Sequence, residues 1–279
     1  MLARQRQALI LDRVRETGAV RVADLARELG VSDMTVRRDL EILHDHRLLE
    51  KVHGGATSLS GLASFEPGFV AKSALQQAEK LAIAAAAAEQ VEPGMAIGIS
   101  AGTTTHALAA RVAEISGVTI VTNSIRVAEV LHRSGRPDQT VILTGGTRTP
   151  SEALVGTFAV SQLRSIHLDQ VFLGVHGMDA KAGLTCPNLL EAETDRALID
   201  AGRRLVVLAD HTKWGVVGIA SVGGLDQADL LISDVGLGPE ARSFLADTVG
   251  ELQLVGVEEP GATQIAGGPT LAAVPARAH

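Results

Sequence analysis

Residues 21–40 read RVADLARELGVSDMTVRRDL, and the first part of the chain folds around them. Ala23 to Leu29 makes a compact helix, stopped by Gly30, which enters the left-handed region without steric cost. Ser32 offers an N-cap oxygen to a following helix that runs to about His46. Ala26 and Gly30 are small where two helices must cross closely, while Leu25, Leu29, Val31, Val36 and Leu40 supply an apolar wedge between them. Ser32, Met34, Thr35, Arg37 and Arg38 fall on the early turns of the second helix, where a helix-turn-helix presents side chains to the major groove. Arginine can donate two bonds to guanine, and hydroxyls suit phosphates or base edges. Asp39 either orients an arginine or is simply solvated. An ordinary helical hairpin with solvated arginines would satisfy the same pattern, so the flanks matter. Upstream, Leu2, Leu9, Ile10 and Val14 predict a helix from Leu2 to Glu16 ended by Gly18, then an extended piece over 19–22. Downstream, Leu48, Leu49 and Val52 alternate with polar residues into Gly54-Gly55. That is a hairpin with a basic tip, whose Lys51 and His53 suit the phosphate contacts of a wing.

The formal charge of the whole chain is −7, but residues 1–58 hold ten Lys/Arg against nine Asp/Glu, a net of +1, which leaves −8 for the remainder. Any polyanion contact therefore belongs to the first 58 residues. An apolar fraction of 46% excludes a wholly disordered chain, and 279 residues suit one small domain followed by a larger one. The single cysteine, Cys186, cannot close an intramolecular disulfide, which fits a reducing, cytoplasmic setting. No signal peptide is evident, and the densest apolar run, Leu81 to Ala88, is too short to span a membrane. The histidines are scattered and no metal-ligand set or cofactor motif stands out.

Residues 59–78 carry Ser, Gly and Pro67 and read as a linker. Over 79–257 the pattern alternates, as expected of an α/β domain with a mainly parallel sheet covered by helices on both faces. Buried-type strands are expected over 95–100, 118–123, 140–144, 168–175, 204–209 and 230–234, with helices over 106–115, 125–133, 189–201 and 240–249. Residues 258–279 are rich in Gly, Pro and Ala and read as a disordered tail. Gly102-Thr103-Thr104-Thr105 follows the first of these strands and opens a helix. On the residues alone it is either a phosphate cradle of free N–H groups and hydroxyls or a mere N-cap. Further polar and glycine clusters fall at strand C-terminal ends, where open α/β sheets bind ligands: 122–124, 144–146, 174–179 with His176, and Asp210 with Lys213.

The stretch Val31-Ser32-Asp33-Met34-Thr35-Val36-Arg37-Arg38-Asp39-Leu40, together with Val52-His53-Gly54-Gly55-Ala56, resembles the signature of the DeoR family of bacterial transcription regulators. The resemblance runs from Arg4 to about Asp234. It implies a winged helix-turn-helix followed by a sensor domain with the fold of ribose-5-phosphate isomerase and glucosamine-6-phosphate deaminase. It also implies a repressor of carbohydrate-utilisation genes that binds operator DNA and responds to a phosphorylated sugar or polyol; repeated half-sites in an operator would require a homodimer or larger homo-oligomer. The Gly102–Thr105 loop then takes the ligand phosphate, and Asn123, Gly145, Gly146, Asp179, Glu191 and Lys213 match positions of the family sensor motifs. Two departures stand out: Ser100 occupies a position where many members carry Asp, and Lys72 lies where many carry Arg. Two other readings are an isomerase-like enzyme using Asp179, Glu191 and His176, and a DNA-binding oligomer that takes no ligand. An attached winged helix and the missing carboxylate at position 100 argue against the first, and the intact Gly102–Thr105 loop argues against the second.

Overall fold

The computed structural model describes residues 2–17, 19–46, 48–52, 54–57, 68–73 and 75–257. Gly18, Arg47, His53, much of the predicted linker and the predicted tail over 258–279 lie outside the described residues. The first unit contains α1 (Ala3–Thr17), β1 (Ala19–Arg21), α2 (Val22–Leu29), α3 (Asp33–Asp45), β2 (Glu50–Val52) and β3 (Gly55–Thr57). Gly30 ends α2 at φ 64°, and the Ser32 Oγ accepts the Thr35 N–H to cap α3, as the residue types require. The three strands pair antiparallel in the order β1-β3-β2, which makes the hairpin a wing anchored on β1. Gly55 is obligatory there, since a Cβ would lie 2.0 Å from the Val20 carbonyl oxygen. Ile10, Val14, Leu25, Val36, Leu40, Leu43, Leu49 and Ala56 close one small core.

Of the two readings of Asp39, the structure bears out the first: it orients an arginine, though that arginine is Arg6 of α1 and not its neighbour Arg38, and it is 2% exposed. Its carboxylate accepts from Arg6 Nε at 2.5 Å and Gln7 Nε2 at 3.0 Å, tying α1 to α3.

The second unit opens with α4 (Phe69–Ser73) and α5 (Gln77–Ala88). Next come β4 (Ala96–Ile99), α6 (Thr103–Val112), β5 (Thr119–Thr122), α7 (Ile125–Ser134), β6 (Thr140–Leu143), the ribbon β7 (Thr147–Arg148) with β8 (Leu154–Val155), and α8 (Thr157–Leu163). After β9 (Gln170–Gly174) the chain makes β10 (Gly177–Asp179) and β11 (Gly183–Cys186), then α9 (Leu189–Ala201) and β12 (Leu205–Leu208). Last are β13 (Ala220–Gly223), β14 (Leu230–Asp234), α10 (Pro239–Thr248) and β15 (Leu252–Val255). Seven strands form one all-parallel sheet in the order β15-β14-β12-β9-β4-β5-β6. Alternate residues feed two cores: Val171, Leu173, Leu205 and Val207 face one side with α8 and α9. Phe172, Val206 and Leu208 face the other with α5, α6 and α7. Both faces are covered, as a parallel sheet demands.

Some expectations fail in detail. The strand expected to be buried over 140–144 is, among the described residues, an edge of the sheet, with Ile142 and Leu143 44% and 42% exposed. The alternation also passed over α5, α8, β15, the β7–β8 ribbon and the small antiparallel sheet β10-β11-β13. These are short or alanine-rich pieces whose partners are distant in sequence. Among the described residues no helix is long and apolar enough to cross a membrane.

Removing the Asp39 carboxylate leaves the largely buried Arg6 guanidinium without its partner. Asp39→Ala is expected to destabilise the winged helix by about 3 kcal/mol, the usual scale for breaking a buried pair from one side. Denaturant unfolding followed by hydrogen exchange would show the loss confined to residues 2–57, with the sheet of the second unit unchanged.

Candidate functional site

On α3, Met34, Arg37, Arg38 and Glu41 stand at i, i+3, i+4 and i+7 and share one face, all exposed, while Val36, Leu40 and Leu43 pack inward. Met34 is 75% exposed, an apolar side chain that the fold itself does not use. Ser32 and Thr35 are engaged with each other, their hydroxyls 2.9 Å apart, so they shape the helix start as well as bordering this face. Lys51 on β2 pairs with Glu41 at 3.1 Å, which fastens the wing to α3 beside the arginines. His53 lies outside the described residues. The arrangement offers a convex basic helix face with a wing beside it, the shape that enters a major groove.

In the second unit β4 is central. The chain leaves it for β5 and β6 on one side and crosses to β9, β12, β14 and β15 on the other. The gap between β4 and β9 is therefore the topological switch point, where open α/β sheets bind ligands beyond the strand C-termini. Gly102 caps α6 at this point, and a Cβ on it would meet Thr105 Oγ1 at 2.9 Å. The first N–H groups of a helix have no partner within it, so Thr103, Thr104 and Thr105 present donors outward. Asn123 holds the loop by accepting the Ala101 N–H on its Oδ1 at 2.9 Å. Ser100 Oγ accepts the Gly174 N–H at 2.9 Å, lacing β4 to β9. Four buried oxygens near strand C-terminal ends find no hydrogen-bond partner within the protein: Thr105 Oγ1, Thr144 Oγ1, Asp210 Oδ2 and Ser233 Oγ.

Other predicted residues fall into place unevenly. Glu191, in the first turn of α9, accepts from Thr149 Oγ1 at 2.5 Å and so reaches the loop before β8. Lys213 ends a single 3-10 turn after β12, beside Asp210. Burial alone would raise the Asp210 carboxyl, but Lys213, Lys80, Thr212 and His211 together hold it below the usual carboxylate range. Asp179 has one oxygen engaged: its Oδ1 accepts the Lys181 and Ala182 N–H groups, both at 2.9 Å, closing the β10–β11 turn. Gly145 donates its N–H to Gln162 Oε1 at 3.1 Å, and Gly146, at φ 131°, lies where a Cβ would come 2.4 Å from the Val155 carbonyl oxygen. His176 is half-buried between β9 and β10. A cleft of about 630 Å3 beside Ala180–Gly183 and Gly223–Gln227 touches none of the Gly102–Thr105 loop.

Sequence reasoning missed Lys80, Thr149, Ser151 and the Asp234–His211 pair. Lys80 left a signal, since it occupies the first place in the buried 80, 83, 84, 87 face of α5 and is 5% exposed. Asp234 accepts from the His211 backbone N–H at 2.7 Å, and its Oδ2 lies 2.7 Å from the His211 Nδ1. Only contact across the sheet unites that pair.

Residues 6–61 match the family described as the DeoR-like helix-turn-helix domain, and residues 75–235 match the DeoR C terminal sensor domain. The chain is 35% identical over 244 residues to the uncharacterized HTH-type transcriptional regulator YgbI of Escherichia coli (strain K12), covering 87% of this chain and 94% of that one. It is 31% identical over 251 residues to the glycerol-3-phosphate regulon repressor of the same organism, covering 90% and 98%. A ribose 5-phosphate isomerase of Methanocaldococcus jannaschii aligns with 48% of this chain and 53% of that one at 17% identity, with a TM-score of 0.35, too slight a likeness to carry an argument.

The His211–Asp234 pair has a definite pH signature. The hydrogen bond to Asp234 raises the His211 pKa against the opposing effect of burial, so its stabilisation is complete below the ordinary histidine value and is lost as pH rises through the raised one. Burial raises the Asp234 carboxyl, but hydrogen bonds from His211 and Gly236 bring it below its ordinary value, so its contribution disappears only as pH falls through that lowered value. His211→Gln should therefore cost most between roughly pH 4 and 6.5 and progressively less above. Melting curves of both proteins from acid to alkaline pH would test this; a gap of constant size would mean the pair is not ionised.

Proposed function

The chain belongs to the DeoR family of transcriptional regulators, and from that premise we propose that it is a repressor whose hold on operator DNA is modulated by a phosphorylated sugar or polyol. The observation that carries the effector half is the Gly102–Thr105 loop at the β4–β9 switch point, with its outward first-turn N–H groups and the unpartnered Thr105 hydroxyl. A dianionic phosphate there gains from the helix dipole and from charge-assisted hydrogen bonds. Glu191, Asp210, Asp179 and Lys213 supply acceptors and a point charge for the sugar, each carboxylate having one oxygen already held by the fold. Ser100 replaces a carboxylate by a hydroxyl already used to join two strands, which supports binding without turnover. On the DNA side, Arg37 and Arg38 read bases in the major groove, with Met34, Ser32 and Thr35 beside them and Lys51 and His53 on flanking phosphates. A helix-turn-helix reading two half-sites acts at least as a homodimer.

Arg37→Ala or Arg38→Ala should weaken operator binding by about 1–3 kcal/mol in matched salt while leaving binding to random DNA less affected. Equal losses on both DNAs would place these arginines on phosphates instead.

The effector reading is tested by thermal shift with paired sugars and polyols, each with and without phosphate, glycerol 3-phosphate among them because a relative is named for it. Only the phosphorylated members should stabilise the protein, by roughly 2.7 kcal/mol at about 100 times their dissociation constant. Thr105→Val should abolish that shift with little effect on the ligand-free protein, since the hydroxyl it removes has no partner in the fold. Identical responses to both members of every pair would refute the phosphate assignment.

A further inference from the structure

We infer that the linker helix α4 is a latch set into the effector crevice, and that it passes the state of that crevice to the winged helix through a hinge at Leu75–Gln76. The inference rests on the effector reading above for what opens the latch, but the latch itself is built from contacts in the chain alone.

Four contacts seat α4. The Phe69 N–H donates to the Pro150 carbonyl at 3.1 Å. The Phe69 ring meets His106 of α6 edge-on at 5.3 Å, and the Arg126 guanidinium of α7 stands 5.6 Å from its centroid. Lys72 Nζ donates to Ser151 Oγ at 2.8 Å. All but the ring contacts fall on one short loop, 149–152, whose Thr149 is bonded to Glu191 on the other side. The loop thus lies between the linker and a residue proposed to meet the sugar.

The hinge is equally defined. Lys80 of α5 donates its ammonium to the carbonyls of Lys72 at 2.6 Å and Leu75 at 2.5 Å, fixing the turn between α4 and α5. The Leu75 side chain packs against the winged-helix core, so the residue held by Lys80 also touches the DNA-binding unit. Lys80 is buried, and its charge is felt by Asp210 at the end of β12. One cation is therefore shared between the hinge and the crevice.

Backbone conformation singles out the same two places. Among the described residues only Gln76 and Glu152 are non-glycine residues with positive φ, at 47° and 64°. One is the hinge and the other ends the loop that α4 grips. Side-chain-bearing residues in this region are held by their surroundings and cluster at switches. Beside them a cavity of about 570 Å3, bordered by Leu43 and His46 of the winged helix, by Phe69 and Leu75, and by Thr103 and His106 of α6, leaves room for the hinge to move. An anion in the crevice draws on the charge of Lys80 and Lys72, and sugar hydroxyls compete for Thr149, Ser151 and Glu191. Occupation loosens α4, and with it the packing of Leu75 that sets the winged helix on the sensor.

Operator affinity of the full chain at fixed salt tests the latch, first without effector and then with glycerol 3-phosphate and ribose 5-phosphate as probes. Ser151→Ala and Phe69→Ala, being unlatched already, should bind operator about tenfold more weakly without a probe, and the further weakening by a probe should shrink toward none. Ser151→Thr keeps the acceptor and should behave as wild type, a rescue that a general packing defect would not show. If Phe69→Ala does not fold, the Ser151 pair decides. Operator affinities equal to wild type in both Ser151→Ala and Phe69→Ala would overturn the inference. If neither probe affects wild type, the effector reading suffers for those compounds, while the probe-free comparison still decides the latch.

Discussion

Ser100 Oγ and the Gly174 N–H form the lacing between β4 and β9, and much of the second unit depends on these two strands being neighbours. The chain enters the sheet at β4, builds outward through β5 and β6, and must then return across β4 to begin the other half at β9. Because every strand is parallel, each return has to travel over a face, and the helices that make those returns bury the alternating side chains of both faces. The same requirement brings the C-terminal ends of all seven strands to one edge. Where the two halves diverge, no crossover passes, and a crevice is left. The loop at its floor is tight at Gly102, where a Cβ would meet Thr105 Oγ1 at 2.9 Å.

Polar groups at that edge divide into those that build the crevice and those that the fold leaves unused. Thr122 donates to the Ile99 carbonyl at 2.6 Å, Asn123 holds Ala101, and Ser124 caps α7. By contrast Thr105, Thr144, Asp210 and Ser233 keep buried oxygens without partners. Leaving a buried polar group unpaired typically costs 1–3 kcal/mol, so four of them along one edge are hard to reconcile with stability alone. They are intelligible as groups kept for a ligand rich in donors.

The winged helix and the sensor have separate cores. Leu75 of the linker packs against the first, and its carbonyl, with that of Lys72, accepts from Lys80 of α5. A buried lysine is unfavourable unless its charge is satisfied, and here two carbonyls at a helix end do so while an aspartate lies within electrostatic reach. That sharing makes the linker part of the site's electrostatics.

Local chemistry settled much of the architecture from the chain alone. Gly30 at a helix stop and Ser32 at a helix start each follow from the conformations those residues permit, and the continuous apolar runs over 171–173 and 205–208 follow from burial on two faces. The threonine loop after β4 was legible for the same reason, since a glycine turn and a helix start are neighbours in sequence. What depended on residues far apart in the chain was not legible. Asp39 turned inward because Arg6 lies across the helix crossing, and the place of β6 at the edge of the sheet was set by pairing with β5. Asp179 is a different case, taken up by a turn with its near neighbours Lys181 and Ala182. Neither the link from Lys72 to Ser151 nor that from His211 to Asp234 has any local signature, because each is a meeting of side chains that only the packed sheet brings within reach.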